Sequence, residues 1–520
     1  MDPAVLPLPQ IRNRHWVPIL IGTLIFAAAS IWAAVSSEGF LEADGCTHYL
    51  YARFALDEPH YLVNIWGRPL KTAIYALPAY FGGLLGVRFT SLALALACAG
   101  ITYRIAKHQQ FRWPALAFVF VLAQPLVFLH SFSELTELPF AMLLAGAFWA
   151  YQCRRFWIVA LLIGLSPMSR PEGFGFIGLC FVALIAHRQW RSLLILPIPL
   201  VAWHFWGWHV YGQQGPVWRW LIDNWPYAAN STYQSGSILH FVALLPAVTS
   251  PLIFPATMFG AWLCFRSGIG DWRMEIEDWR LKSALSNLRS SVCNPHSRCD
   301  LLIVTIPLLI LTGHSLLYYL GKMASNGELR YMLIVAPFWA LLAARGWEWA
   351  WQRFNWKHPF AWAALVALLP ATINFKRELP GGYTFGYQVL PLVLHGDWQT
   401  AKTLAAWYRS SDIRSEYPYL CASHPGVFLF LDISPSGPKV KEWHVRTLKD
   451  PPASTLLIYD KTYGRFNADS ARSATLEDLM SWGWEPINGM DESGKLGWAS
   501  EGTFWLLGPS PVGGIPHAVE

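Results

Sequence analysis

Of the 520 residues, 54% are hydrophobic and 14% charged, with a mean hydropathy of +0.30, whereas a soluble domain carries about 25% charged residues. Long uncharged apolar blocks separated by short polar ones exclude a soluble domain and describe a multi-span membrane protein, and the 29 Trp and 20 Tyr suit membrane–water interfaces. The net charge of +6 is scattered over connections, with no basic stripe interleaved with aromatics, so a nucleic-acid partner is excluded.

In chain order, the N-terminal "MDPAVLPLPQIRNRHW" precedes an apolar run, 17–35, with no convincing small-residue cleavage site. It predicts a signal anchor that becomes the first span. Segments apolar and long enough to cross a bilayer then follow at 84–103, 113–129, 138–153, 155–168, 173–187, 192–211, 238–265, 301–320, 331–345 and 359–373. The fold class expected is therefore a polytopic α-helical membrane protein of about 11 transmembrane helices. The basic residues of alternate connections (Arg12 and Arg14; Arg104, Lys107 and Arg112; Arg154 and Arg155; Arg188 and Arg191; the 266–300 loop; Arg353 and Lys357) all fall on one side. By the positive-inside rule that side is the cytoplasm. The chain is thus expected in the cytoplasmic (inner) membrane, multi-pass, among membrane lipids, with its N-terminus inside.

The outer face then receives the 36–83 loop with its interfacial helices, 130–139, 166–173, 212–237, 321–330 and everything after 374. Past that point the pattern changes. Short β-prone runs, "GVFLFLDI" (426–433), "TLLIYD" (455–460) and "TFWLLG" (503–508), alternate with the helix-like "WQTAKTLAAWYRS" (398–410) and "LEDLMSWGW" (476–484). This predicts a transmembrane module over 1–375 and an extracytoplasmic α/β domain over 376–520. No internal repeat is evident. Cys293 and Cys299 flank His296 in "CNPHSRC", a spacing that matches no standard zinc pattern, and nothing in the sequence pairs the outer-side Cys46 and Cys421.

Charged side chains gather on the expected outer face. "EADGCTHYLYARFAL" places Glu42 and Asp44 just past the first span, with His48 close behind. Acids there solvate a helix end or, at the mouth of a dry cavity, serve as a general base. "SFSELTEL" carries Glu134 and Glu137, which share a face if helical. "MSRPEGFGF" holds Arg170 and Glu172, and charges at membrane depth line a cavity or pair with one another. "GKMASNGELRYMLIVAP" supplies Lys322, Glu328, Arg330 and Tyr331, and an arginine fork matches phosphate.

In this order the strings resemble the membrane-embedded GT-C glycosyltransferases, in particular the bacterial family-39-like group related to protein O-mannosyltransferases and to the aminoarabinose transferase that modifies lipid A. "EADGCTHYLYARFAL" looks like that superfamily's first-loop acidic element, "LRYMLIVAP" like its later Arg-Tyr run, and "SRPEG" like a string many members carry. The resemblance implies a GT-C fold and a transferase that takes a sugar from a polyprenyl-phosphate donor on the outer face. The acceptor is a hydroxyl on a lipid, glycan or protein, and a single displacement inverts the anomeric carbon. It also implies that Asp44, or alternatively Glu42, is the base. Glu134 would help hold the acceptor, the base or a metal if one is used, while Arg330 with Lys322 and Arg170 would meet the leaving phosphate, a role in which preorganised cations are most effective. His48 would contribute a hydrogen bond near the acid, and Glu137, Glu172 and Tyr331 would line the substrate site. Some relatives have directly adjacent acids here, so Glu42-Ala43-Asp44 leaves the choice open; a divalent metal stays undecided. The alternatives are a transporter or flippase of a lipid-linked saccharide, against which stands the lack of internal duplication, and a non-catalytic polytopic scaffold.

Overall fold

The computed structural model describes residues 16–38, 43–212, 215–227, 229, 231, 235–266, 295–323, 325–354, 376–378, 384–386, 391–394, 396–443, 445–465, 473–490, 496–497 and 504–509. Glu42, Cys293 and the expected span 359–373 lie outside them, and of His296 and Cys299 only the helical backbone is described.

Ten helices lead through the first half: α1 (Trp16–Ser36), α2 (Ala43–Phe54), α3 (Pro69–His108), α4 (Pro114–Leu122), α5 (Pro125–His130), α6 (Glu137–Gln152), α7 (Phe156–Leu165), α8 (Gly173–Ala186), α9 (Trp190–Ile195) and α10 (Ile198–Val210). Among the described residues, five helices are long and apolar enough to cross a membrane: α1, α3, α9 with α10, Asp300–Tyr319 and Leu329–Phe354. A bent pair, His240–Thr249 and Phe254–Arg266, turns by 111° where a single span over 238–265 was expected. The expected spans 138–153, 155–168 and 173–187 are helices of 16 residues or fewer. That at 113–129 breaks at Gln124–Pro125, and every residue of α4 is buried inside the bundle. Proline supplies the break, since it lacks an N–H and disfavours helix in the residue before it.

The longest helix, α3, explains how the first loop is held. It opens on Pro69 and is bent at Gly83, whose φ of +57° suits a residue without Cβ. A Cβ on Gly86 would meet the Pro78 carbonyl oxygen at 2.3 Å. The kink lets the short first half of α3 run back beside α2 while the second half joins the bundle.

The C-terminal part contains a five-stranded mixed sheet in the order Tyr419–Ala422, Thr455–Asp460, Phe504–Pro509, Trp484–Met490, Leu496–Gly497, of which the first pair is parallel and the rest antiparallel. Along Thr455–Asp460 side chains alternate between two cores, Leu456 and Ile458 against one, Leu457 and Tyr459 against the other. The stretch 426–433, expected as a strand, is helical over Pro425–Leu431. A continuous apolar run suits either state. Here Pro425 opens the helix and His424 Nδ1 accepts the Gly426 N–H at 3.0 Å. This sheet-bearing part rests on the first loop. Asp432 pairs with Arg53 of α2 at 3.2 Å, Tyr61 bonds to Ser434 at 3.0 Å, and Leu392 exchanges hydrogen bonds with Ser37 and Glu38.

Candidate active site

The charges are brought together by four separate connections. α2 begins at Ala43 and presents Asp44 in its first turn, where the helix N-terminus favours an acid. The turn before α6 supplies Thr136, and Glu137 begins the helix. The tight Ser166–Met168 turn leads to Arg170 and Glu172 ahead of α8, and a 3₁₀ turn, Leu329–Val335, presents Arg330 and Tyr331. Gly173 is needed there, since a Cβ would meet the Pro167 nitrogen at 2.4 Å.

They line one cavity of about 360 Å³, whose walls include Asp44, His48, Glu137, Arg170, Glu172, Arg330 and Tyr331 from the expected set. Trp66, Arg68, Tyr227, His314 and Asn326 add to the polar and aromatic lining. A volume of this order and a lining of a few convergent polar groups on aromatic walls are those of a ligand site.

The charges are interlocked. Arg330 Nη2 donates to Asp44 Oδ2 at 2.7 Å, its Nε lies 2.5 Å from Glu328, and Glu137 is 3.7 Å away. Arg170 pairs with Glu137 and, at 2.8 Å, with Glu172, and donates to Thr136 at 3.0 Å. His314 reaches Glu172 at 3.2 Å and stacks on Tyr331, ring centroids 4.8 Å apart, while the Tyr331 hydroxyl donates to Asn326 at 2.6 Å. Arg330 and Arg170 are thus each held by carboxylates. Arg68, only 5% exposed, donates to the Ile65 carbonyl at 3.0 Å and to the Tyr227 hydroxyl, neither of them an acid.

The protonation states follow from enclosure. The Asp44 carboxyl faces the cavity, half-buried among the residues that line it. That enclosure, with the Glu137 charge next, pushes its carboxyl up to about 6, against the pull of Arg170 and Arg68. Burial and then the Asp44 charge hold Glu328 above the usual range. Glu172 goes the other way: burial would raise it, but Arg170 and His314 outweigh burial and keep it well below. His48 is lowered by burial and by Lys71, so its imidazole, stacked on Trp66 at 4.6 Å, is neutral.

Two expected residues stand apart. Glu134 lies behind the cavity, fully buried against Arg88 at 3.1 Å, and does not share a helix face with Glu137 because α6 starts only at Glu137. The Arg88 guanidinium also donates to the Ala34 and Ser37 carbonyls at 2.9 Å each. Glu134 Oε2 would be 3.4 Å from a Cβ on Gly45, so this pair supports α2 from beneath. Lys322 is exposed and does not line the cavity, while its neighbours Met323, Ser325 and Asn326 do. Among the described residues, no group of three or more His, Cys, Asp and Glu side chains is arranged to hold a metal ion.

Long apolar helices around a polar cavity define a membrane protein. Neither a family model nor a curated protein matches the chain. Among solved structures it is similar to ArnT from Cupriavidus metallidurans bound to undecaprenyl phosphate, with a TM-score of 0.55 and 12% identity over 95% of this chain and 97% of that one. The apo state of that protein aligns with a TM-score of 0.47 and 11% identity, over 95% and 98%. The first likeness shows the fold: the chain has the architecture of that ArnT structure.

Proposed function

We propose that this protein is a glycosyltransferase that takes a sugar from a polyprenyl-phosphate donor and passes it to an acceptor hydroxyl. The observation that carries the reading is the meeting of an acid and guanidinium groups in one cavity: Asp44 lies 2.7 Å from Arg330, with Arg68 and Arg170 in the same wall. Undecaprenyl phosphate is the ligand in the ArnT structure whose fold this chain shares, and a lipid phosphate is the class of leaving group such cations suit.

Asp44 is the base. A carboxyl near 6 is ionised at neutral pH yet more basic than an ordinary aspartate. It removes the acceptor proton as the acceptor oxygen bonds to the anomeric carbon. The sugar–phosphate bond breaks on the opposite side, its electrons leave with the phosphate, and configuration inverts. Arg68 receives the developing phosphate charge, being the cavity arginine that no carboxylate engages among the described residues, and Arg330 orients Asp44. Arg170 is fixed in the wall by Glu137 and Glu172, which offset its charge. In this reading the cavity opens to the outer face of the inner membrane, residues 1–375 form the catalytic module and 376–520 an extracytoplasmic domain.

The test is transfer from a labelled polyprenyl-phosphate sugar by purified protein. Asp44→Asn is expected to abolish it while folded yield is kept, and unimpaired turnover in Asp44→Asn would assign the base elsewhere.

A further inference from the structure

A second pocket, of about 130 Å³, lies away from the cavity in the sheet-bearing part. Three cations line it, Arg409, Arg414 and Lys439, over a floor that includes Tyr408, Leu420 and Leu431; among the described residues no carboxylate lines it. Each cation stands on fixed backbone. Arg409 ends the helix Gly396–Ser410, with Nη2 donating to the Phe430 carbonyl at 2.6 Å. Arg414 belongs to the short helix Ile413–Glu416. The Lys439 carbonyl accepts the Leu420 N–H at 2.9 Å, anchoring its loop to the first strand. Asp432, between the lining residues Leu431 and Ile433, is committed to Arg53 at 3.2 Å. Tyr408 spends its hydroxyl on the Tyr417 carbonyl at 3.0 Å and offers its ring.

Three like charges repel one another, and converging them on an apolar floor raises the local potential. Such an arrangement is stable when a compact anion with two charges joins it, and arginine forks match phosphoryl oxygens in pairs. We propose that this pocket binds a phosphomonoester group, carried either by a soluble ligand or by a lipid headgroup. The pocket holds several waters or one such group, and its walls are polar enough on one side to replace the group's hydration. The proposal does not depend on the transferase reading.

The site is tested by footprinting Lys439 with an acylating reagent on the full chain in nanodiscs, read by mass spectrometry, with exposed Lys461 as internal control. In phosphatidylcholine nanodiscs, inorganic phosphate is expected to slow Lys439 modification saturably by at least threefold and leave Lys461 unchanged. A second arm replaces part of the lipid with phosphatidic acid. Protection there without added phosphate assigns the group to a lipid headgroup, and protection by inorganic phosphate alone assigns it to a soluble ligand. Arg414→Ala should remove the protection in whichever arm shows it, with Lys439 and the fold intact. No protection in either arm, equal slowing at Lys461, or undiminished protection in Arg414→Ala would overturn the proposal.

Discussion

Replacing Arg68 is the perturbation whose size the geometry best defines. A guanidinium has five N–H donors, and here Nη1 is engaged by the Ile65 carbonyl and Nη2 by the Tyr227 hydroxyl, leaving the others for a ligand. Two charged hydrogen bonds to a phosphate are worth about 1.5 kcal/mol each at the lower end. Their loss, about 3 kcal/mol, corresponds to roughly a hundredfold in kcat/KM for the lipid-linked donor. Arg68→Met is therefore expected to lose about that much, and Arg68→Lys, which keeps the charge without the fork, roughly tenfold. Arg353→Ala, exposed near the far end of the last long helix, should change nothing. Initial rates with a labelled polyprenyl-phosphate sugar in nanodiscs measure all three. Arg68→Met within threefold of the parent would refute the assignment of the phosphate to Arg68.

The base predicts a pH profile: activity rises as Asp44 loses its proton, so kcat/KM falls below about 6. Because Arg68 helps hold that carboxyl down, Arg68→Met should move the acidic limb to higher pH, and an unmoved limb would separate the two groups. For the Arg88–Glu134 pair, both side chains buried, Arg88→Leu leaves a buried carboxylate uncompensated at a cost of about 3–5 kcal/mol. The unfolding temperature in detergent should drop sharply and recover in Arg88→Leu/Glu134→Leu; failure of the double variant to recover would show the cost lies elsewhere. Gly86→Val, forced against the Pro78 carbonyl, should reduce folded yield measured by size-exclusion chromatography, with Gly82→Ala, open to space, as the tolerated control. Val440→Cys should react with a membrane-impermeant label from outside the cell, and protection until lysis would reverse the topology.

Much of the site was legible because acids and arginines interrupt apolar sequence at span ends, and the positive-inside pattern predicts which ends share a face. Asp44, Glu137, Arg170, Glu172, Arg330 and Tyr331 indeed line one cavity. Arg68 was missed because it lies in a loop-like stretch, although an Arg-Pro pair opening a helix marks a fixed backbone position; Arg68 takes a φ of +62° there. Arg88 and His314 were missed for the opposite reason, sitting inside apolar helices counted only for length. A lone charge in such a helix is a sign of a buried partner, and Glu134 and Glu172 are those partners. The helix at Pro425–Leu431 was misread because five consecutive apolar residues carry no period, and the local start signal, Pro425 behind a capping His424, was overlooked.

In the proposed reaction Asp44 activates an acceptor hydroxyl against a lipid-phosphate sugar. The most direct measurement incubates purified wild-type and Asp44→Asn protein with a panel of radiolabelled polyprenyl-phosphate sugars, and scores both transfer and release of the sugar. Label should leave at least one lipid donor with the wild type and remain on it with Asp44→Asn. Donors untouched by the wild type across the panel, or equal turnover by both proteins, would contradict it.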